Sequence, residues 1–490
     1  MKRLIFYGVT VLVSFFICPA NSSFALDFFN GRLHDVKGYV NWSMVFRMHQ
    51  DERDVTVSSL RTTLKLEGLL DIITTDTVDI KFYGLVNYWY DGAVNADASL
   101  RRTIRYEDGG SHGVKESTRP NCEEEIINEA YLDIAYGNFD IRLGKQLVSW
   151  GESEESRVAD VINPLDVTNM IAFPDWENLK VGLWMARIFY SPPNTRSDLS
   201  FELIITAPDF QPTRYPPAGN GIFFPFPLMP QGLFGKVLHQ REHDRPANDW
   251  SSMEFGMRIR GYSFGTDWAL SYFYSRRDTP IIDGEKGMGE FIKLAFGLPH
   301  DDVYTYPHYS SIGFTFARPW DRIKSVIRGE IIFNTGMYYQ YGDKFEFVSD
   351  KKKRDLVAFA VSWDRDNMIP WYSYWNKSRS VTTSLSWYHY HFLGHKYNKA
   401  TGEYIWWESE LHRDSTWDVL TLGIATFLFQ DTLILLGNFA YDFNRGTTIV
   451  GIIRYKPGDR WIYQIMYQQL NEQSTARMAN QLSLILKYDF

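Results

Sequence analysis

The segment that decides the fold runs from Val78 to Tyr90 and reads VDIKFYGLVNYWY. Every second residue from Val78 onward is apolar or aromatic, with Gly84 as the one exception. The residues between them include Asp79, Lys81 and Asn87, and Leu85 is their only aliphatic member. Because successive side chains of a β-strand point to opposite faces, this period-two pattern predicts a strand with one apolar face and one polar face.

The same alternation recurs along the chain and continues into its last residues. The apolar face of the final segment carries five residues, Leu482, Leu484, Leu486, Tyr488 and Phe490. The other face includes Ser483 and Lys487. Charged residues on such faces cannot lie unpaired in a dry core, so the polar faces must meet water. A soluble β-sandwich and a membrane barrel would both satisfy this pattern.

Three further features favour a transmembrane barrel. Most alternating runs are 9 to 14 residues long, which is the length that a tilted strand needs to cross a bilayer. The runs are separated alternately by tight turns and by long polar loops, as in barrels that carry short turns on one side only. The chain also ends on an aromatic residue, Phe490, after an amphipathic run, which resembles the assembly signal of bacterial outer-membrane proteins.

The segmentation predicts an all-β protein, a closed antiparallel barrel of about 18 strands, with 16 or 20 strands left open. The predicted strands are 35–48, 57–73, 77–90, 125–136, 139–148, 181–191, 198–206, 252–263, 266–276, 305–317, 323–334, 355–363, 380–391, 416–428, 432–442, 447–455, 460–470 and 478–490. The predicted long loops are 91–124, 149–180, 207–251, 277–304, 335–354 and 392–415. An aromatic stretch within 364–379 stands where a short turn is expected.

The composition excludes several other classes of protein. The 490 residues include 34 Phe, 30 Tyr and 16 Trp, and the formal net charge is −8. This aromatic content excludes intrinsic disorder, and the negative charge disfavours nucleic-acid binding, which needs a surplus of Lys and Arg. Beyond residue 25 we find no uncharged apolar run of 18 residues, so a bundle of membrane helices is excluded as well.

The first 25 residues have the pattern of a secretory signal peptide. Lys2 and Arg3 precede an apolar run over 4–17, and Ser23 and Ala25 place small residues before a cleavage site. A single anchoring helix is the weaker alternative because the apolar run is short. We therefore expect residues 26–490 to form the mature barrel, exported to the outer membrane of a Gram-negative bacterium, with Cys122 as its only cysteine and no disulfide.

A barrel of about 16 to 18 strands leaves a water-filled lumen, so its function depends on what narrows that lumen. The third long loop, 149–180, is the predicted constriction. The candidate residues on the loop are Glu152, Glu154, Glu155, Arg157 and Asp160, and those on the lumen wall are Arg142, Arg258, Arg260, Arg328 and Glu330. Opposed acids and bases would select permeants by charge, and the excess of loop acids predicts a preference for cations. The alternative is a solvated surface loop, with the wall arginines paired to neighbouring strands.

Four short blocks resemble an uncharacterised outer-membrane porin-like family of proteobacteria. They are Leu143-Gly144-Lys145-Gln146, Ser149-Trp150-Gly151-Glu152, Val161-Ile162-Asn163-Pro164-Leu165-Asp166 and Pro212-Thr213-Arg214-Tyr215-Pro216-Pro217-Ala218-Gly219. The resemblance covers the first half of the chain only. It implies an outer-membrane channel that works with a lipoprotein or efflux-type partner and carries lipids or other hydrophobic cargo. The charged segment 154–157 departs from the apolar, Gly-rich stretch of that family and argues against hydrophobic cargo.

The remaining hypotheses concern enzymes, structural barrels and partners. A barrel enzyme would need a nucleophile beside a histidine, but His389 and His391 lie on the face opposite Ser384 and Ser386. No haem motif or Gly-rich phosphate loop occurs, so we expect no cofactor, no metal site and no enzyme. A structural barrel that sheathes a partner, such as an electron carrier, remains the alternative function. Expected contacts are lipopolysaccharide at the basic run 351–354 and the barrel-assembly machinery at Phe490.

Overall fold

A computed structural model describes sixteen stretches of the chain. They are residues 33–48, 55–107, 111–120, 122–153, 158–168, 179–193, 198–215, 244–282, 284–342, 348–367, 381–396, 404–407, 410–412, 414–444, 446–469 and 480–490. The segments 1–32, 154–157, 216–243 and 368–380 are therefore among those outside the described residues.

Eighteen antiparallel strands form one closed barrel in the described part of the chain. The strands of its first half are β1 Leu33–Met48, β2 Val55–Thr74, β3 Val78–Asp91, β4 Ile127–Tyr136, β5 Phe139–Gln146, β6 Leu183–Tyr190, β7 Ser200–Thr206, β8 Phe255–Ser263 and β9 Thr266–Arg276. Those of the second half are β10 His308–Trp320, β11 Ser325–Gly342, β12 Val348–Asn367, β13 Val381–Phe392, β14 Thr416–Leu428, β15 Leu433–Asp442, β16 Gly446–Tyr455, β17 Trp461–Gln469 and β18 Asn480–Asp489. Each of the eighteen predicted strands overlaps one of these, so the predicted fold class and strand count are confirmed.

The barrel closes where its first strand pairs with its last. The register of β1 on β18 runs from Tyr39 opposite Asp489 to Met48 opposite Asn480. Gly38 N donates to Phe490 O at 3.0 Å, and Phe490 N donates to Gly38 O at 2.9 Å. A closed sheet satisfies the backbone donors and acceptors that an open edge would expose.

The two faces of the wall differ in the way that the alternation predicts. In β18, Leu484 is 38% exposed on the outer surface, whereas Ser483 is 1% exposed toward the lumen. Aromatic side chains cluster on the outside near the short turns, where the rings of Phe139 and Tyr190, and of Trp461 and Tyr488, have centroids 4.8 Å apart. The outer side chains between the barrel ends are mainly aliphatic, and include Leu143, Met257, Leu270, Ile312, Ile331, Ile449, Ile453 and Ile465. An apolar band with aromatic borders is typical of a barrel surrounded by lipid.

Short turns lie at one end of the barrel and most long connections at the other. The turns 75–77, 137–138, 264–265 and 321–324 share the end at which both chain termini of the barrel lie. In their described residues, the long connections carry five helices, α1 Ala93–Ala96, α2 Ala98–Glu107, α3 His112–Glu116, α4 Glu123–Ile126 and α5 Gly284–Ala295. None of the helices in the described residues is long and apolar enough to cross a membrane.

The predicted loop 335–354 is wrong, because β11 and β12 extend through most of it as a long hairpin. Met337, Tyr339 and Tyr341 are buried on one face of β11 and pack in a cluster with Leu356 and Phe392. These three residues alternate as in a strand, but the many charged residues of the segment made it resemble a polar loop in the sequence. Strand β12 likewise continues to Asn367, into the predicted turn at 364–379, whose remaining residues fall outside the described part.

Candidate functional site

The loop between β5 and β6 folds into the barrel, and Asn163 closes its base. This side chain is fully buried. Its Oδ1 accepts from Val148 N at 2.7 Å, and its Nδ2 donates to Gln146 O at 3.2 Å and to Val181 O at 2.8 Å. The amide thus satisfies three backbone groups that no longer have a strand partner.

The Gly-Lys-Gln block turns the end of β5 toward this loop. Gly144 has a φ of +141°, and a Cβ at this position would overlap the carbonyl oxygen of Ala130, so only glycine fits. The next two side chains are buried: Lys145 Nζ donates to Glu124 O at 2.7 Å, and Gln146 Nε2 donates to Met185 O at 3.2 Å. This part of the sequence signature therefore has a structural explanation.

A buried ion pair holds the two arms of the loop together. Asp160 Oδ2 lies 2.6 Å from Lys180 Nζ. The same ammonium donates to Val148 O at 3.1 Å and to Ser149 Oγ at 2.5 Å. Removing one partner of such a pair leaves a buried charge and is strongly destabilising. Asp160 was predicted to oppose lumenal arginines, and its described ion-pair partner is instead Lys180, a residue that the sequence interpretation did not select.

Trp150 anchors the loop on the lumenal face of β7, β8 and β9. Only 1% of its surface is exposed. The ring packs edge-on to Phe273, with centroids 6.1 Å apart, and Nε1 donates to Glu202 Oε2 at 3.2 Å. A Cβ on Gly256 would come within 2.9 Å of the indole, so the glycine in β8 makes room for it.

Beyond Trp150 the loop reaches β11, six strands around the barrel from β5. There the Glu330 carboxylate accepts hydrogen bonds from three backbone N–H groups, those of Glu152, Ser153 at 2.5 Å and Ala159 at 2.9 Å. Charge-assisted bonds of this kind are stronger than neutral ones. Val158 and Ala159 are buried in the cluster that includes Tyr339. Glu330, predicted as a lumen-wall residue, is therefore the point at which the wall holds the tip of the loop.

The predicted arginines lie on a charged band of the inner wall. Arg142 Nη2 is 3.2 Å from Asp133 Oδ2, and Arg187 Nε donates to Glu202 Oε1 at 2.5 Å. Glu202 lies opposite Arg258 in the β7–β8 register. The band therefore continues around the barrel and reaches the strand that faces Trp150.

Glu152 is the described loop acid that meets a predicted wall arginine directly. Its Oε1 lies 3.6 Å from Arg258 Nη2. Arg260 is exposed two residues further along the same face of β8, and Arg328 pairs with Asp364 on the neighbouring strand. Glu154, Glu155 and Arg157 lie outside the described residues, so their place in a constriction stays a prediction.

Two cavities that described residues line lie beside the folded loop. The first, of about 390 Å³, is bordered by Glu152 and by the lumenal side of β11 to β16. The second, of about 520 Å³, lies between the returning arm of the loop and the wall formed by β16, β17, β18, β1, β2 and β3. Six basic residues line the second cavity, Arg61, Lys65, Lys180, Arg214, Arg454 and Lys487, against three acids, Glu124, Glu125 and Asp166.

The basic wall of the second cavity is a feature that the sequence interpretation missed. Arg61 and Lys65 lie four positions apart in β2 and therefore on the same face of the strand. Lys487 likewise lies on the face of β18 that carries its polar residues. The alternation could therefore have placed each of them in the lumen. Their convergence could not be read from it, because they come from strands that meet only when the barrel closes.

Comparison with known proteins places the chain in a family. The family described as "protein of unknown function (DUF1302)" matches residues 46–468, which include the loop, its anchors and most of the barrel. The chain belongs to the DUF1302 family. The family description states no activity or cargo, so the porin-like signature expected from the four blocks stays a prediction. No curated protein gives a significant match.

Solved structures that resemble the chain include bacterial porins, at low sequence identity. OmpF of Salmonella typhi, in a complex with daunomycin, is 10% identical with a TM-score of 0.43, and 94% of this chain and 97% of that one are covered. OccAB4 of Acinetobacter baumannii is 11% identical with a TM-score of 0.47, covering 93% and 97%. An anion-selective porin from Comamonas acidovorans is 10% identical with a TM-score of 0.38, covering 94% and 99%.

The histidines of β13 lie on the outer face of the barrel wall, opposite the buried Ser386. Within the described residues, no group of three or more His, Cys, Asp or Glu side chains is placed to hold a metal ion. His389 Nδ1 lies 2.8 Å from Asp418 Oδ1, and its ring stacks on His391 with centroids 6.3 Å apart. Ser386 is buried on the opposite face of β13. Its hydroxyl and the His389 imidazole therefore do not meet, as the alternation predicts.

Proposed function

We propose that the protein is a channel of the outer membrane of a Gram-negative bacterium, which passes small solutes through a lumen narrowed by the loop 149–180. The observation that carries the proposal is the attachment of the loop to Glu330, which places backbone from the β5–β6 connection inside the barrel against β11. The apolar outer band supplies the surface that a lipid bilayer requires.

The attachment also weighs against a barrel that sheathes another protein. A sheath needs a wide lumen, and the described residues 148–153 and 158–167 occupy part of it through the contacts of Trp150, Glu152 and Ala159. The channel is therefore favoured over the structural alternative. A lipoprotein or efflux partner could still bind at either end of such a channel without entering it.

Two contacts with the cell envelope belong to the same proposal. The basic run Lys351–Arg354 lies on the long β11–β12 hairpin, where Lys352 Nζ is 4.6 Å from the centre of the Tyr341 ring. Placed at the long-loop end, these bases would bind the phosphates of lipopolysaccharide. At the other end, β18 with Phe490 would be the strand that the assembly machinery recognises.

We expect the protein to be recovered from outer membranes as a barrel that migrates faster on gels when it is not boiled. A closed sheet with its ends paired stays folded in detergent, and heating exposes the whole backbone. The measurement is a gel of boiled and unboiled membrane fractions. Recovery of the folded protein from the soluble periplasm would contradict both the location and the membrane-spanning role.

We further expect the purified barrel to conduct ions across planar bilayers. The measurement is the current of single insertions in potassium chloride, followed by the reversal potential in a salt gradient, which reports the sign of the preferred ion. Folded barrels that insert and carry no current would contradict the proposed channel. Because the described acids Glu152 and Asp160 face Arg258 and Lys180, their charges are compensated, and the cation preference expected from the loop would depend on Glu154 and Glu155.

A further inference from the structure

One sector of the lumen wall departs from the usual polar interior of a large barrel. Leu436, Ile452 and Met466 lie opposite one another in the registers of β15, β16 and β17. Val450 and Met466 are buried, and Ile452 packs against them. The outward neighbours in the same strands, such as Ile449, Ile453 and Ile465, are also apolar. Contact with lipid explains the outer set, but it does not explain apolar side chains on a wall that faces water.

This apolar row lies beside the basic wall of the second cavity. Arg454 follows Ile452 by two residues, and Lys487 follows Ile485 by two residues, so each pair shares a lumenal face. Met466, Ile485, Arg454 and Lys487 all line the cavity of about 520 Å³. Val450, Ile452 and Leu436 line the cavity of about 390 Å³. Strand β16 therefore runs from an apolar surface into a basic one.

Aromatic rings help to position two bases that line the same cavity. The Arg61 guanidinium lies 3.8 Å from the centre of the Trp89 ring, and Lys487 Nζ lies 4.3 Å from that of Tyr39. Lys65 lies opposite Tyr39 in the β1–β2 register. Stacking on an aromatic face helps to fix the position of a cation. Asp91, 3.9 Å from Arg61 Nε, and Asp489, 2.8 Å from Lys487 Nζ, offset part of these charges, but neither acid lines the cavity, where six bases still face three acids.

We propose that the two cavities together bind an amphipathic monoanion, a carboxylate with a compact apolar body. The apolar body would lie on Leu436, Ile452 and Met466, and the carboxylate would face Arg454, Lys487 and Arg61. The cavity volumes fall in the range of small-molecule sites, about 300 to 1,000 Å³. This inference extends the proposed channel function, because it names the class of solute that the same lumen would carry. As a statement about transport, it rests on that proposed function.

The test is a set of equilibrium titrations of the full-length barrel in detergent, with empty micelles as the blank. Three probes separate the contributions: cyclohexanecarboxylate has the charge and the ring, acetate has the charge alone, and cyclohexylammonium has the ring with the opposite charge. We expect cyclohexanecarboxylate to bind at least about tenfold more tightly than either of the others, because each buried methylene contributes about fourfold in affinity.

Two variants assign the contributions to the two walls. Ile452→Asn should reduce the advantage of cyclohexanecarboxylate over acetate by about threefold or more, since it places an amide in the apolar row. The matched control is Thr63→Asn, which places the same amide on the other wall of the second cavity, and it should leave that ratio unchanged. Arg454→Gln combined with Lys487→Gln should bring the affinities for the anion and for cyclohexylammonium close together.

Equal binding of cyclohexylammonium and cyclohexanecarboxylate by the unmodified barrel would overturn the inference, and so would an unchanged ratio in a folded Ile452→Asn variant. If that variant does not fold, Met466→Gln takes its place and is read in the same way. Bilayer currents separate the two proposals. Conduction without selective binding refutes the solute class alone, whereas selective binding without conduction supports the site and refutes the channel.

Discussion

Leu484→Arg is expected to abolish assembly of the barrel. Leu484 is on the outer face of β18, opposite Met44 in the strand pairing that closes the barrel. An arginine on a lipid-facing position near mid-membrane costs about 2 to 4 kcal/mol, and here it lies in the strand whose pairing with β1 closes the barrel. The measurement is the fraction of protein that reaches the fast-migrating, unboiled form in outer membranes, which should fall close to zero.

Lys487→Glu is the matched control for this prediction. It changes charge in the same strand, but Lys487 faces the lumen, where its ammonium lies 2.8 Å from Asp489 Oδ1 and lines the second cavity. Water in the lumen can solvate the new carboxylate, so assembly should remain close to that of the unmodified protein. Equal losses in both variants would show that the two faces of β18 do not differ as the structure indicates.

Glu330→Ala is expected to release the tip of the loop and to widen the channel. The substitution removes the acceptor of three backbone hydrogen bonds, and bonds to a charged group contribute about 1.5 to 3 kcal/mol each. The anchors at Asn163, Lys180 and Trp150 remain, so the base of the loop should stay attached. Single-channel conductance should rise, with larger current fluctuations, while the yield of folded barrel changes little.

Asp364→Asn controls for the loss of a carboxylate from the same region of the lumen. Asp364 lies on the neighbouring strand β12 and pairs with Arg328, and both residues line the cavity of about 390 Å³. It has no described hydrogen bond to the loop, so its neutralisation should alter the reversal potential rather than the size of the current. A Glu330→Ala barrel with unchanged conductance would show that the loop does not limit the pathway.

The sequence alone was sufficient for the strands and for their faces. Alternation is a local property, because each residue of a strand must face either lipid or water, and both environments select side chains strongly. Leu484 and Lys487 could therefore be assigned to opposite faces before any pairing was known. The same reasoning failed at 335–354, where Tyr339 and Tyr341 continue a strand among charged residues. In this segment the strand is stabilised by packing within the β11–β12 hairpin, and the polarity of the sequence does not reveal it.

The predicted constriction loop illustrates the limit of local reasoning about the site. Its position after the fifth strand and its acidic residues could be read from the sequence, and so could a wall position for Glu330 and Arg258. The pairing of Asp160 with Lys180 could not, since the two lie 20 positions apart along the chain and outside the barrel strands. Nor could the reach of the loop to β11, which depends on the curvature of the closed wall.

The sequence by itself thus determined the class of fold, the approximate number of strands and the face on which most strand side chains lie. The tertiary structure decided which lumenal side chains meet. Arg61, Arg454 and Lys487 come from β2, β16 and β18, and the first and last of them are 426 positions apart. They share a cavity because β1 pairs with β18. Closure of the barrel joins strands that are far apart in the chain, whereas alternation is a property of adjacent residues. Only closure can therefore bring basic side chains from distant strands beside the apolar row of the lumen wall.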